Sequence, residues 1–198
     1  VDDIQTLNQS YRIPGGPIHE LSQSIINKVQ NRFDKEYKPR DEMGVLKRYS
    51  DITQVDMSKG NWLVLSSANY FLDDAKDLCE IQGWYYQFKG MNSVSLKLLL
   101  ALNNWEQWRK GELLNHLEIK NIYEYLGSSV VPGFQKGKTL HSDTKYKIEE
   151  CQKDHGLTTS AVWFDAFEGL DPITETYIRN MRANGEMINK NPRIKMST

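Results

Sequence analysis

Leu7-Asn8-Gln9-Ser10-Tyr11-Arg12-Ile13-Pro14-Gly15-Gly16-Pro17 is the stretch whose reading decides the fold. Ahead of it, Ile4, Thr6 and Asn8 alternate with Gln5 and Leu7, a short and imperfect strand pattern. Behind it, apolar residues recur at Ile18, Leu21, Ile25, Ile26 and Val29, which is helical spacing. Pro17 suits a first helical position, because the N–H it lacks would have no partner there. The string therefore predicts a strand-to-helix turn with Tyr11 and Arg12 at the carboxyl end of the strand. Open α/β sheets hold their ligands at that end. A guanidinium placed there can grip a phosphate with two parallel hydrogen bonds, and the neighbouring ring offers a face to a base. The plainer alternative has Tyr11 capping the core and Arg12 pairing with a surface carboxylate.

Outward from this turn, the pattern predicts a helix over 17–32 and a surface connection over 34–42, where DKEYKPRDE carries Pro39 and many charges. Met43 to Tyr49 reads as a strand and Asp51 to Lys59 as an irregular piece. Asn61 to Ser67 is the clearest strand; its apolar run fits a central parallel strand covered on both faces. Phe71 to Gln82 reads as a helix, with Asp73 and Asp74 in its first turn and Gly83 just past its end. Trp84 to Phe88 follows as a strand, in which Tyr85 and Tyr86 would face opposite sides. From Ser93 the character changes. Helical stretches are predicted to about Lys110, then over 112–126, 144–155, 161–167 and 172–184, with no comparable strand before Arg193. Trp105, Trp108 and Trp163 sit among apolar neighbours and read as core.

With 198 residues, 39% hydrophobic and 26% charged, the chain has the composition of an ordinary soluble protein. The formal net charge of −1 leaves any nucleic-acid contact to local basic clusters. No signal peptide is read at the acidic, polar start, and the most apolar run, Val94 to Leu102, is too short to span a bilayer. A cytoplasmic location without membrane contact is the expectation. Cys79 and Cys151 stand far apart and outside any metal-ligand spacing, so they read as structural thiols. His19, His116, His141 and His155 are scattered, and no metal site is expected.

LNQSYRIP followed by PIHELSQSIINKVQNR resembles motif IV of the UvrD/Rep/PcrA-type DNA helicases of superfamily 1. The resemblance implies that Tyr11 packs on the adenine of ATP with Gln9 nearby, and that Arg12 reaches the γ-phosphate as the catalytic arginine. VLSSANYFLDDAKDLCEIQGWYYQFKG is similar to the strand–helix–strand that follows in the family, with Ser67-Ala68-Asn69 where Arg-Thr-Asn is common. Lacking that arginine, Ser67 inherits no ligand contact, and Asn69 reads as a turn cap. The segment from Pro172 to Gly185 resembles the family's return out of an inserted helical domain. Asn191 to Thr198 resembles the strand that enters motif V, cut before the family's histidine, lysine and glycine.

The fold class that follows is α/β: a partial RecA-like parallel sheet flanked by helices, with an inserted, mainly helical subdomain. Residues 1–92 would be the first part of domain 2A, 93–188 a 2B-like insertion, and 189–198 the returning 2A strand. The resemblance implies a fragment of an ATP-dependent DNA helicase that couples ATP hydrolysis to movement on single-stranded DNA and duplex unwinding. Mg²⁺ would be held by a missing N-terminal RecA-like domain, and the fragment alone would be inactive and monomeric. Ser197 and Thr198 would approach the DNA backbone, and Lys136 and Lys138, in a basic loop, would face a duplex junction. The motor reading also requires the Tyr11–Arg12 strand and the closing strand to lie side by side in one parallel sheet.

Two alternatives accompany it. One is a non-catalytic DNA-binding or protein-docking module on the same scaffold. The other is a small phosphate-loop NTPase using Gly133 to Thr139. In the second, Pro132 stands where the loop's first glycine belongs, and proline has no N–H to give to a phosphate.

Overall fold

The structure, a computed structural model, describes residues 9–31, 37–127, 140–186 and 191–198. It is mixed α/β, with seven α-helices and small sheets among the described residues. The chain divides into two compact units, Val1–Ser50 and Asp51–Thr198. The domain limit expected at 92/93 falls inside the second unit. The one at 188/189 lies outside the described residues.

In the first unit, β1 (Gln9–Gly15) leads through Gly16 into α1 (Pro17–Ile26), and β2 (Lys38–Met43) lies parallel to β1. Gly16 takes φ 69°, a left-handed conformation that glycine adopts without penalty, and Pro17 opens the helix as its spacing requires. Two expectations fail here. The predicted connection over 34–42 contains β2, and the predicted strand over 43–49 is absent beyond Met43. A strand of Lys-Pro-Arg-Asp-Glu-Met carries little β propensity. With nearly every side chain of β2 in water, backbone pairing with β1 decides instead. The helix also ends at Ile26, short of the expected residue 32. Only Gly15 is buried among the described residues of this unit.

The second unit is built on a four-stranded sheet in the order β3 (Trp62–Leu65), β8 (Ile194–Ser197), β4 (Tyr86–Phe88), β5 (Met91–Asn92). Strands β3, β8 and β4 run parallel, and β5 turns back on β4 as a hairpin. A 3-10 turn (Asn69–Leu72) and α2 (Asp73–Gln82) join β3 to β4. Gly83 closes α2 in the left-handed conformation, as its position just past the periodic run predicts.

After β5 the chain leaves the sheet. It makes α3 (Leu96–Arg109), β6 (Leu114–Asn115), α4 (His116–Tyr123), β7 (Lys145–Tyr146), α5 (Ile148–Asp154), α6 (Trp163–Ala166) and α7 (Pro172–Ala183), then returns as β8. The helical excursion expected after Ser93 is present, with a small antiparallel β6–β7 pair inside it. Asn115 caps α4 by accepting from the amides of Leu117 and Glu118, while Glu118 reaches back to the Asn115 amide. Asp171 caps α7 in the same manner through the amides of Ile173 and Thr174.

Packing centres on α3, whose Trp105 and Trp108 are fully buried. Each indole N–H still finds a carbonyl, Trp105 at Ala161 (3.0 Å) and Trp108 at Tyr146 (3.0 Å), so neither ring costs an unpaired donor. Trp163 is buried as expected. Cys79 and Cys151 are buried and free, and burial pushes their thiols up to about 12 and about 11.

Three further expectations are corrected. β3 is an edge strand, and only one of its faces is covered: Leu63 and Leu65 are exposed while Trp62 and Val64 pack against the core. Tyr85 and Tyr86 are both buried, because β4 starts only at Tyr86 and strand alternation does not govern the residue before it. Finally, β8 has β3 and β4 as its neighbours while β1 pairs with β2, so the adjacency expected between the Tyr11–Arg12 strand and the closing strand is not formed. The parallel partners that β8 does take come from the strand–helix–strand around α2, whose spacing lets it accept a strand in its middle.

Candidate functional site

Gln9, Tyr11 and Arg12 all lie on β1, and all three are exposed. β1 continues to Gly15, so Tyr11 and Arg12 sit within the strand and not at its carboxyl end; the turn falls four residues after Arg12, at Gly16. Pro14 still pairs, opposite Arg40, with the register shifting on either side of it. The Gln9 side chain donates to the Pro39 carbonyl (3.1 Å) and so ties β1 to β2. Ser10 Oγ accepts from the Ile13 amide (3.1 Å) and fixes the backbone around the Tyr-Arg pair. Tyr11 is 81% exposed. Both side chains stand in the irregular part of β1, where the register with β2 slips between Gln9 and Pro14.

Ser197 and Thr198 stand at the carboxyl end of β8, between β3 and β4. The Ser66 amide donates to Ser197 O (3.2 Å), the Lys89 amide to Met196 O (3.0 Å), and Ser197 Oγ to Thr198 O (3.3 Å). This is the end of a parallel sheet where fixed loops converge on a ligand. Asn69 does not cap its turn: Ala68 occupies that position and no side chain caps it.

Sequence reasoning missed what stands on the loops at this same edge. Tyr70 and Phe71 follow β3, are both mostly exposed, and hold their ring centroids 4.1 Å apart. Lys76 and Lys89 place their ammonium groups 4.7 and 5.7 Å from the centre of the Phe88 ring. Lys89 is also held at φ 49°, uncommon for a residue with a side chain. The available signal was two aromatics directly after Ser67-Ala68-Asn69, ahead of the positions where α2 sets its buried face. The Tyr70 and Phe71 rings are tilted at 43° to each other, and both lysines sit over Phe88, which packs partly buried against the core.

Lys136 and Lys138, and with them the phosphate-loop alternative at Gly133 to Thr139, lie outside the described residues. Among the described residues no three His, Cys, Asp or Glu side chains gather in a group able to hold a metal ion. Nor is any helix there long and apolar enough to cross a membrane. Comparison with protein-family models, curated proteins and solved structures gives no match to this chain.

Proposed function

We propose that this chain is part of an ATP-dependent DNA helicase of the UvrD/Rep class, carrying the first part of the second motor domain and its inserted helical domain. One observation carries the reading: after β5 the chain makes a helical excursion and comes back as β8, inserted in parallel between β3 and β4. An excursion that leaves and re-enters one sheet is the arrangement the sequence resemblance implies for this family. In this reading ATP lies between two RecA-like domains, one of them outside this sequence, which also holds Mg²⁺. Arg12 stabilises charge on the γ-phosphate during transfer, and Tyr11 carries the base with Gln9 beside it. The roles of these three residues rest on the sequence resemblance alone. DNA runs past Ser197 and Thr198.

The motor assignment requires β1 and β8 side by side in one sheet, and they lie in different sheets; that separation counts against the motor and favours a second reading, a non-catalytic DNA-binding or docking module on this scaffold. The experiment that tests the motor reading measures oligonucleotide binding and ATP turnover by the purified 198-residue chain. It should bind single-stranded DNA with an affinity that falls as salt rises, and should turn over no ATP with or without DNA. Arg12→Ala in a protein carrying both motor domains should then lower turnover by roughly 10³-fold or more. DNA-stimulated turnover by the chain alone, or unchanged turnover in the Arg12 variant, would remove the motor assignment.

A further inference from the structure

We infer that the groove between α2 and α7 is a docking site for an amphipathic helix bearing aliphatic anchors and basic flanks. The groove has a volume of about 670 Å³. Its rim carries Ile81 and Ile173, which are 70% and 71% exposed, and Pro172 also lines it. Each isoleucine lies off its helix's buried face. The core side of α2 is taken by Ala75, Leu78 and Cys79, and that of α7 by Tyr177, Ile178 and Met181.

The walls are fixed before any partner arrives. A Cβ on Gly83 would come within 2.5 Å of the Asn180 backbone carbon, so the end of α2 abuts α7 at backbone distance. The Asn180 side chain donates to Ile81 O (3.2 Å), and that of Asn184 to Gln82 O (2.5 Å). Two carbonyls that end α2 thereby receive donors from α7, which locks the crossing of the two helices. A preformed groove spares the partner the cost of ordering its receptor.

The occupant follows from shape and charge. Both walls are helices whose backbone is internally bonded, so no free strand edge is offered and strand addition is excluded. The mode that fits two exposed isoleucines across a pair of helices is a helix laying aliphatic side chains at i, i+3/i+4 spacing over Ile81 and Ile173. The charged residues of the walls are both acidic, the exposed Asp77 and the half-buried Glu80, whose carboxylate also accepts the Tyr86 hydroxyl (2.7 Å), and the lining contains no basic residue. Lysine or arginine flanking the anchors meets that field, whereas glutamate is repelled by it.

The test uses the full 198-residue chain and two fluorescently labelled helical peptides with identical leucine anchors, one flanked by lysine and the other by glutamate. The lysine peptide should bind at least about tenfold more tightly. Ile81→Asp combined with Ile173→Asp should weaken it by a further tenfold or so, with the circular dichroism of the chain unchanged, since both residues face water. Ile81→Ala with Ile173→Ala gives the same direction without introducing charge, should the aspartates disturb the helices. Asp77→Lys should reverse the preference between the two peptides. Equal binding of both peptides, binding that survives the paired isoleucine changes, or no binding of the lysine peptide up to about 1 mM would overturn the inference. So would self-association of the chain that the same changes abolish, because the occupant would then be a second copy.

Discussion

Helices α1 and α3 teach opposite lessons about hydrophobic pattern. α1 has a clean amphipathic spacing, Ile18, Leu21, Ile25 and Ile26, yet none of its residues is buried. α3, Leu-Lys-Leu-Leu-Leu-Ala-Leu-Asn-Asn-Trp-Glu-Gln-Trp-Arg, has apolar residues around much of its circumference and buries six of them. Periodicity reports which face a helix offers; burial depends on what the rest of its unit can place against that face. The first unit sets only a two-stranded sheet beside α1. The second surrounds α3 with α4, α6, the Ala161 loop and β7, the last two receiving its indoles.

The contrast breaks most readily at α3. Trp108→Ala removes a fully buried ring and leaves a cavity, and should cost ~3–5 kcal/mol in denaturant unfolding. A loss under ~1 kcal/mol would mean that the second unit is as loosely packed as the first. Next comes Gly83→Ala. The added methyl group meets the Asn180 backbone, and φ 69° is unfavourable for alanine, so a loss of roughly 1–3 kcal/mol is expected. Thermal melts would show it as a lowered Tm.

A pH effect sharpens the comparison further. Hydrogen bonds from the Thr174 hydroxyl and amide hold the Asp171 carboxyl below its ordinary value of 3.8. A carboxylate with a depressed folded-state pKa gives stability that is present above the unfolded value and lost as pH falls through the folded one. Tm should therefore drop on acidification below about pH 4, and Asp171→Asn, which keeps a capping oxygen without the charge, should flatten that part of the drop. The smallest effect belongs to the first unit. Tyr11→Ala should change stability by no more than about 0.5 kcal/mol, as an exposed side chain does. A larger change would show that the ring is packed.

Much of the second unit was legible in the sequence because its signals were local and mutually consistent. Asp73 and Asp74 opening a helix that Gly83 closes, and Pro172 behind the capping Asp171, each fix an element without reference to distant residues. The buried tryptophans were readable for the same reason. What failed depended on pairing partners. β2 hid in a charged stretch with a proline because its strand state comes from β1 and from no preference of its own. The edge position of β3 was invisible since its apolar run matches a strand covered on both faces, and only the arrival of β8 on one side reveals which it is. β6 and β7, two residues each, are too short to show any period. At the candidate site, the residue types were readable and their placement was not: the turn comes four residues after Arg12, and nothing in the pattern marks the aromatics beyond β3 as exposed.

The position of β8 has a consequence for how the chain is made. Synthesis delivers β3 and β4 early and the strand that belongs between them only after the whole helical excursion has been translated. Until then the slot between two parallel neighbours stands open, with unpaired amides and carbonyls on both rims. Pairing of such distant segments is slow, and a gap of this kind invites strands from other chains. The nascent protein therefore passes through a window in which its greatest aggregation hazard is the vacancy at the heart of its own sheet.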